Sequence, residues 1–330
     1  PSREAYAAFL ATSRLNTYIY CPKGDKRLRG EWQLPWPDDE FEQLRSLAAV
    51  FRRRGVHFGV GLSPMELYRQ YGSRQREQLR RKLDQVSALE APLLAILFDD
   101  MPGDLDALAA RQAEIVADVQ HWCADLRLLV CPTYYSFDPA LERFFGAMPV
   151  DYWADLGAAL PVDVDIFWTG NQVCSPAVSL DDIAAIRQRL GRPVILWDNY
   201  PVNDGEERSQ RLYLKPLGER DPALRDCLAG HLCNPMNQAL LSRPALLGLA
   251  QLYGDVTAAR QFVVDYLGEQ TWKQLQVDRE EFVSVGLAAM GPERCAELAQ
   301  RYGSMPGAAA GEVAAWLRGE YAWDPACLTG

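Results

Sequence analysis

Asp99 and Asp100 stand side by side at the end of an uninterrupted apolar run, Leu93-Leu94-Ala95-Ile96-Leu97-Phe98, and are followed by Met101-Pro102-Gly103-Asp104. Two ionised neighbours repel, and if both face one apolar-walled cleft, repulsion and desolvation raise the proton affinity of one of them. A carboxyl perturbed in this way is what general acid–base chemistry near neutral pH requires. The plainer alternative is a helix N-cap, a common place for Asp in the loop after a strand.

An apolar run that ends in charge suits a strand buried on both faces of a parallel sheet flanked by helices. Pro and Gly then break the strand and open a loop. The same signature recurs at intervals of roughly 30 to 40 residues, the length of a βα unit. It is found at 16–21, 56–62, 126–130, 164–168 and 193–197, with a shorter candidate at 231–233. Between these runs, 39–54, 74–89, 107–125 and 180–190 carry apolar residues at three- and four-residue spacing among charges, which predicts helices. The alternation predicts an α/β protein built as a (β/α)8 TIM-type barrel. No Gly-rich dinucleotide fingerprint follows any of the strands, which disfavours an open doubly wound sheet.

Active sites of such barrels lie at the C-terminal ends of the strands. Lys23, Asp99, Asp100, Tyr135, Asn199, Asp204 and Asn234 all follow predicted strands and are therefore expected to converge on one mouth. Taken singly, each has a plainer reading: a solvated loop charge for Lys23, a rim aromatic for Tyr135, turn residues for the asparagines.

The chain resembles glycoside hydrolase family 84, the O-GlcNAcase and bacterial β-N-acetylglucosaminidase group. The resemblance rests on Tyr20-Cys21-Pro22-Lys23, Lys82-Leu83-Asp84-Gln85-Val86, Leu97-Phe98-Asp99-Asp100, Cys131-Pro132-Thr133-Tyr134-Tyr135, Trp168-Thr169-Gly170, Trp197-Asp198-Asn199 with Asn203-Asp204, and Asn234-Pro235-Met236. It implies retaining hydrolysis of a terminal β-linked N-acetylglucosamine, carried by Ser/Thr-modified proteins or by glycans, in which the sugar's own 2-acetamido oxygen attacks the anomeric carbon, giving an oxazoline. This is one of the exceptions to the two-carboxylate nucleophile scheme. By the same resemblance Asp99 orients the acetamide and Asp100 moves the protons. Tyr135 donates to the acetamido oxygen, and Lys23, Asp204 and Asn234 bind hydroxyls. Asn199 lies beside the acetamide, and Trp197, Cys131 and Val173 wall the acetyl methyl. No cofactor or metal is implied, although Asp99, Asp100 and Asp204 offer the hard oxygen ligands that Mg²⁺ or Ca²⁺ would take. A barrel that binds N-acetylglucosamine without cleaving it is the alternative, disfavoured because both carboxylates and Tyr135 are present.

The resemblance also implies a first barrel strand with the sequence Gly-Phe-Tyr-Gly ahead of the helix that opens this chain. Only seven strands are predicted here, so an upstream segment is expected to supply the eighth. Residues 1–254 are expected to form the catalytic barrel and 255–330 a helical C-terminal domain, with helices at 256–268, 279–290, 292–303 and 311–321. In the family such helices complete the substrate cleft, sometimes through a dimer, so Trp272, Tyr321 and Trp323 are candidates for contact with an aglycone or a second copy.

A formal net charge of −10 over 330 residues argues against nucleic acid or an anionic membrane as partner. The basic clusters Arg52-Arg53-Arg54 and 74–82 are expected to be solvated helix faces. The eight cysteines have no CxxC spacing and are expected to be reduced. The cytoplasm is the expected location, although the upstream segment expected above makes the lack of a visible signal peptide uninformative.

Overall fold

The computed structural model describes residues 2–254 and 257–321. Helix α1 (Ser2–Thr12) leads into a single sheet of β1 (Thr17–Tyr20), β2 (His57–Leu62), β3 (Leu93–Leu97), β4 (Arg127–Cys131), β5 (Asp165–Trp168), β6 (Val194–Asp198) and β7 (Gly230–Cys233). The strands lie in chain order, and each pairs in parallel with the next. This is the (β/α)8 TIM-type arrangement with seven strands. Among the described residues no strand lies between β7 and β1.

Why these segments are strands follows from their burial. Every residue of β3 is buried, so an unbroken apolar run is stable there, whereas β1 and β7 are half-buried throughout and carry Tyr, His and Cys. Within β2, a side chain at Gly61 would meet Cys21 Cβ at 2.6 Å and Leu97 Cδ1 at 2.9 Å. Glycine at this point lets the ends of β1 and β3 close in on each other.

The predicted helices form as α2 (Asp38–Arg53), α3 (Ser73–Ser87), α4 (Leu108–Trp122) and α7 (Leu180–Leu190). Helix α2 opens with Asp38, Asp39 and Glu40 and closes with Arg52 and Arg53, matching the helix dipole at both ends. Helix α7 begins in a capping box between Ser179 and Asp182 and ends at Gly191 in the left-handed region. Two short helices after β4, α5 (Ala140–Phe145) and α6 (Tyr152–Ala159), were not expected from the sequence pattern. Helix α1 ends at Thr12, and Arg14 then turns into the left-handed region.

After β7 the chain is helical: α8 (Arg243–Tyr253), α9 (Thr257–Leu267), α10 (Glu269–Glu280), α11 (Leu287–Gly303) and α12 (Ala308–Leu317). One boundary differs from expectation. Gly286, at φ 81°, separates α10 with its terminal π turn from α11, where a single helix over 279–290 was expected. Gly291, at φ 77° and ψ 164° just before Pro292, leaves the helical region and divides α11 in two, at the break expected between 290 and 292. Trp323 lies outside the described residues, as does Cys327. The other seven cysteines are free thiols. Among the described residues no helix is long and apolar enough to cross a membrane.

Candidate active site

The end of β3 is shaped by its neighbour. Phe98 donates its N–H to the Cys131 carbonyl at 2.8 Å, and Thr133 Oγ1 donates to the Phe98 carbonyl at 2.9 Å. The chain then leaves the sheet at Asp99, and Asp100 takes a left-handed backbone conformation with φ 56°. Asp tolerates that region better than most side chains, and departures of this kind concentrate at functional sites.

One cavity of about 480 Å³, open mouth included, is lined by Lys23, Asp99, Asp100, Cys131, Tyr135, Val173, Trp197, Asn199, Asp204 and Asn234. These are all of the residues nominated from the sequence as catalytic or sugar-binding; Trp272 and Tyr321, named as candidates for aglycone contact, are not in the lining. Thr169, Cys174 and Val202 complete the lining and had not been nominated. Lys23 comes from the loop after β1, the aspartate pair from β3, and Tyr135 from the segment after β4. Val173 follows β5, Asn199 and Asp204 follow β6, and Asn234 follows β7.

The cavity is electrostatically sorted. Lys23 Nζ lies 3.1 Å from Asp100 Oδ2 and 3.8 Å from Asp204 Oδ2, and an Arg29 guanidinium nitrogen stands 3.9 Å from the same Asp100 oxygen. The charge that a hard cation would bring to these carboxylates is therefore supplied by side chains. Asp99 differs from its neighbour. Burial, reinforced by the Asp100 charge and opposed by Arg29 and Lys23, pushes its carboxyl up to about 6. Its Oδ1 is buried with no hydrogen-bond partner among the described residues. The thiols at the site stay protonated: burial, with the Asp99 charge next, holds the lining Cys131 well above the usual thiol range and pushes Cys21, outside the lining, up to about 12.

A chain of amides joins three loops. Trp197 Nε1 donates to Asn199 Oδ1 at 3.1 Å, Asn234 Nδ2 donates to the same oxygen at 3.2 Å, and Asn199 Nδ2 donates to the Val173 carbonyl at 2.8 Å. Asn203 adds a further tie. It donates to the Gln238 side chain at 2.8 Å and accepts from the Asn237 N–H at 3.0 Å, which pins the loop bearing Asp204 to the loop after β7.

Residues 82–86 belong to the support of the site. Gln85 accepts from Trp36 N at 3.0 Å and donates to the Trp36 carbonyl at 3.1 Å. Lys82 donates to the Leu34 carbonyl at 3.1 Å and sits 3.6 Å from the centre of the Trp36 ring. Lys82 is thus buried, contrary to the expectation of a solvated basic face. The ring and the carbonyl replace its water, and burial lowers its ammonium to about 8. Together the two side chains fasten the far end of the excursion that carries Lys23 and Arg29.

Asp198, His231 and Cys233 bring potential ligand atoms within 4.8 Å of one another. The Asp198 carboxylate is already engaged by Arg220 at 2.8 Å on each oxygen and by His231 Nε2 at 3.2 Å. A guanidinium on both oxygens is a poor neighbour for a cation, so the cluster is read as a hydrogen-bonded one.

Comparison with known proteins gives a consistent result. A family model described as beta-N-acetylglucosaminidase matches residues 1–275. The proteins named Protein O-GlcNAcase of Rattus norvegicus and Mus musculus are each 28% identical over 276 residues, covering 81% of this chain and 30% of theirs. The chain therefore spans under a third of the length of these curated relatives. Among solved structures, a mutant of the Thermobaculum terrenum O-GlcNAc hydrolase superposes with a TM-score of 0.75 at 27% identity, covering 97% of this chain and 78% of that one.

Proposed function

Since the chain belongs to the beta-N-acetylglucosaminidase family, we propose that it is a retaining glycoside hydrolase that removes a terminal β-linked N-acetylglucosamine by substrate-assisted catalysis. The observation that carries the reading is the unequal aspartate pair at the end of β3. Asp100 is buried and held by Lys23 and Arg29, Asp99 is partly buried with its carboxyl raised, and both face one small cavity.

In this scheme Asp99, when ionised, accepts the acetamido N–H and stabilises the positive charge that develops as the acetamido oxygen closes on the anomeric carbon. Its unpaired Oδ1 supplies a free acceptor. Asp100 protonates the departing glycosidic oxygen, then takes a proton from the water that opens the oxazoline. Tyr135 donates to the acetamido oxygen and holds the nucleophile in line, an effect of proximity and orientation. Lys23, Asp204 and Asn234 bind ring hydroxyls. Asn199 holds the acetamide side of the pocket, and Trp197, Cys131 and Val173 enclose the methyl.

The substrate class we propose is N-acetylglucosamine on serine or threonine of proteins, supported by the names of the rat and mouse relatives. We further propose that 1–254 acts as the catalytic barrel and that the helices beyond it flank the cleft, where they can meet the aglycone or a second copy.

The deciding experiment is hydrolysis of an aryl β-N-acetylglucosaminide by the purified protein, with Asp99→Ala as control and an oxazoline-mimicking thiazoline as inhibitor. Turnover that is abolished in the variant and blocked by the thiazoline is the expected result. Tight thiazoline binding without turnover would instead make this a sugar-binding protein.

A further inference from the structure

Arg220 is absent from the cavity lining, yet it is buried and commits its guanidinium to two walls of the cavity at once. Nε and Nη2 each donate to Asp198 at 2.8 Å, one to each carboxylate oxygen. Nη2 also donates to the Ser175 carbonyl at 2.8 Å, while Nη1 donates to the carbonyls of Pro176 at 2.5 Å and Gly218 at 3.1 Å. Asp198 sits between Trp197 and Asn199 at the end of β6. Ser175 and Pro176 directly follow Val173 and Cys174. One side chain thus bridges the β6 end to the loop after β5, and its own backbone is held by a parallel bridge to Val178.

Upstream, Val173 is pinned separately: its N–H donates to Asp138 Oδ2 at 3.1 Å and its carbonyl accepts from Asn199. Downstream, Arg220 is the anchor. We infer that Arg220 is a positioning residue that fixes how far the Val173–Cys174 wall stands from Trp197, and so sets which N-acyl groups the cavity admits. The inference rests on the proposed function, in which this wall encloses the substrate's acetyl methyl. A planar fork with donors on both edges can bridge a carboxylate and three carbonyls, whereas a lysine ammonium is a single point of donation on a flexible stem.

The test is kcat/KM for aryl glycosides bearing N-acetyl, N-propionyl and N-butyryl groups, measured for the wild type and Arg220→Lys. The wild type should fall steeply along the series. In Arg220→Lys the butyryl-to-acetyl ratio should rise by about tenfold or more, the scale of one or two methylenes in an apolar pocket. A purely structural role would lower all three substrates alike and leave that ratio within about twofold of wild type, which would overturn the inference. Should Arg220→Lys fail the check for a native circular dichroism spectrum, Asp198→Asn is read by the same ratio, because it weakens the carboxylate half of the bridge and leaves the carbonyl half. Wild-type turnover of the acetyl substrate with an unmoved ratio removes this inference alone, whereas no wild-type turnover of any member removes the proposed function and the inference with it.

Discussion

Asp99→Asn should make this protein more stable at neutral pH while disabling it. The wild-type carboxyl is raised from 3.8 to about 6 by burial and by the Asp100 charge. Between those values the native state holds the proton and the unfolded chain does not, so stability declines as pH rises through the window and levels off above it. Two units correspond to about 3 kcal/mol favouring the protonated form. Asparagine cannot ionise and escapes this penalty. Urea unfolding of both proteins at pH 4 and pH 8 gives the comparison, since titrating groups remote from Asp99 cancel in the difference. The stability of the variant relative to wild type should improve by about 2 kcal/mol or more between the two pH values, part of the effect being already present at pH 4. A relative stability that does not change with pH would refute the account of Asp99 as a buried, destabilising carboxylate.

Asp100→Asn should impair glycosides with poor leaving groups far more than an aryl substrate with a very good one, because only the former need the proton. Equal losses on both kinds would show that this role is wrongly assigned. The wild-type kcat/KM should rise with pH through about 6, since Asp99 must be ionised to accept the acetamido N–H, and a profile flat to about pH 4.5 would contradict that. Gln85→Ala removes both hydrogen bonds to the Trp36 backbone, with an expected loss of about 1–2 kcal/mol in urea unfolding. Stability unchanged within error would show that Gln85 is not what fastens that excursion.

Much of the site was legible because a barrel strand announces its functional end: a buried apolar run stops where a polar side chain begins, as β3 does at Asp99. Even β7, half-buried and only Gly230–Cys233, was findable from the asparagine and proline that follow it. Helices α5 and α6 were not, because Pro139, Gly146 and Pro149 frame them and read locally as loop. Lys82 looked like one more surface charge among arginines, and only the tertiary position of Trp36 makes it a buried group. Arg220 gave no signal either. It lies in an aperiodic stretch before β7, and its partners are set by where the β5 and β6 loops meet. Pattern reports which face of an element is buried; it does not report what an irregular segment will touch.

The sheet runs in strict chain order, yet the cavity draws on both of its ends: Lys23 follows β1 and Asn234 follows β7. Every intermediate pairing can form between consecutive segments, so a chain missing its last strand could keep most of its helices and still have no closed pocket. The pocket joins the two ends of the sheet, so it should be among the last features to assemble and the first to open. Catalytic activity will therefore report the integrity of the complete sheet more sharply than any spectroscopic measure of its helices, and a preparation that looks folded by circular dichroism must also bind ligand before it is counted as native.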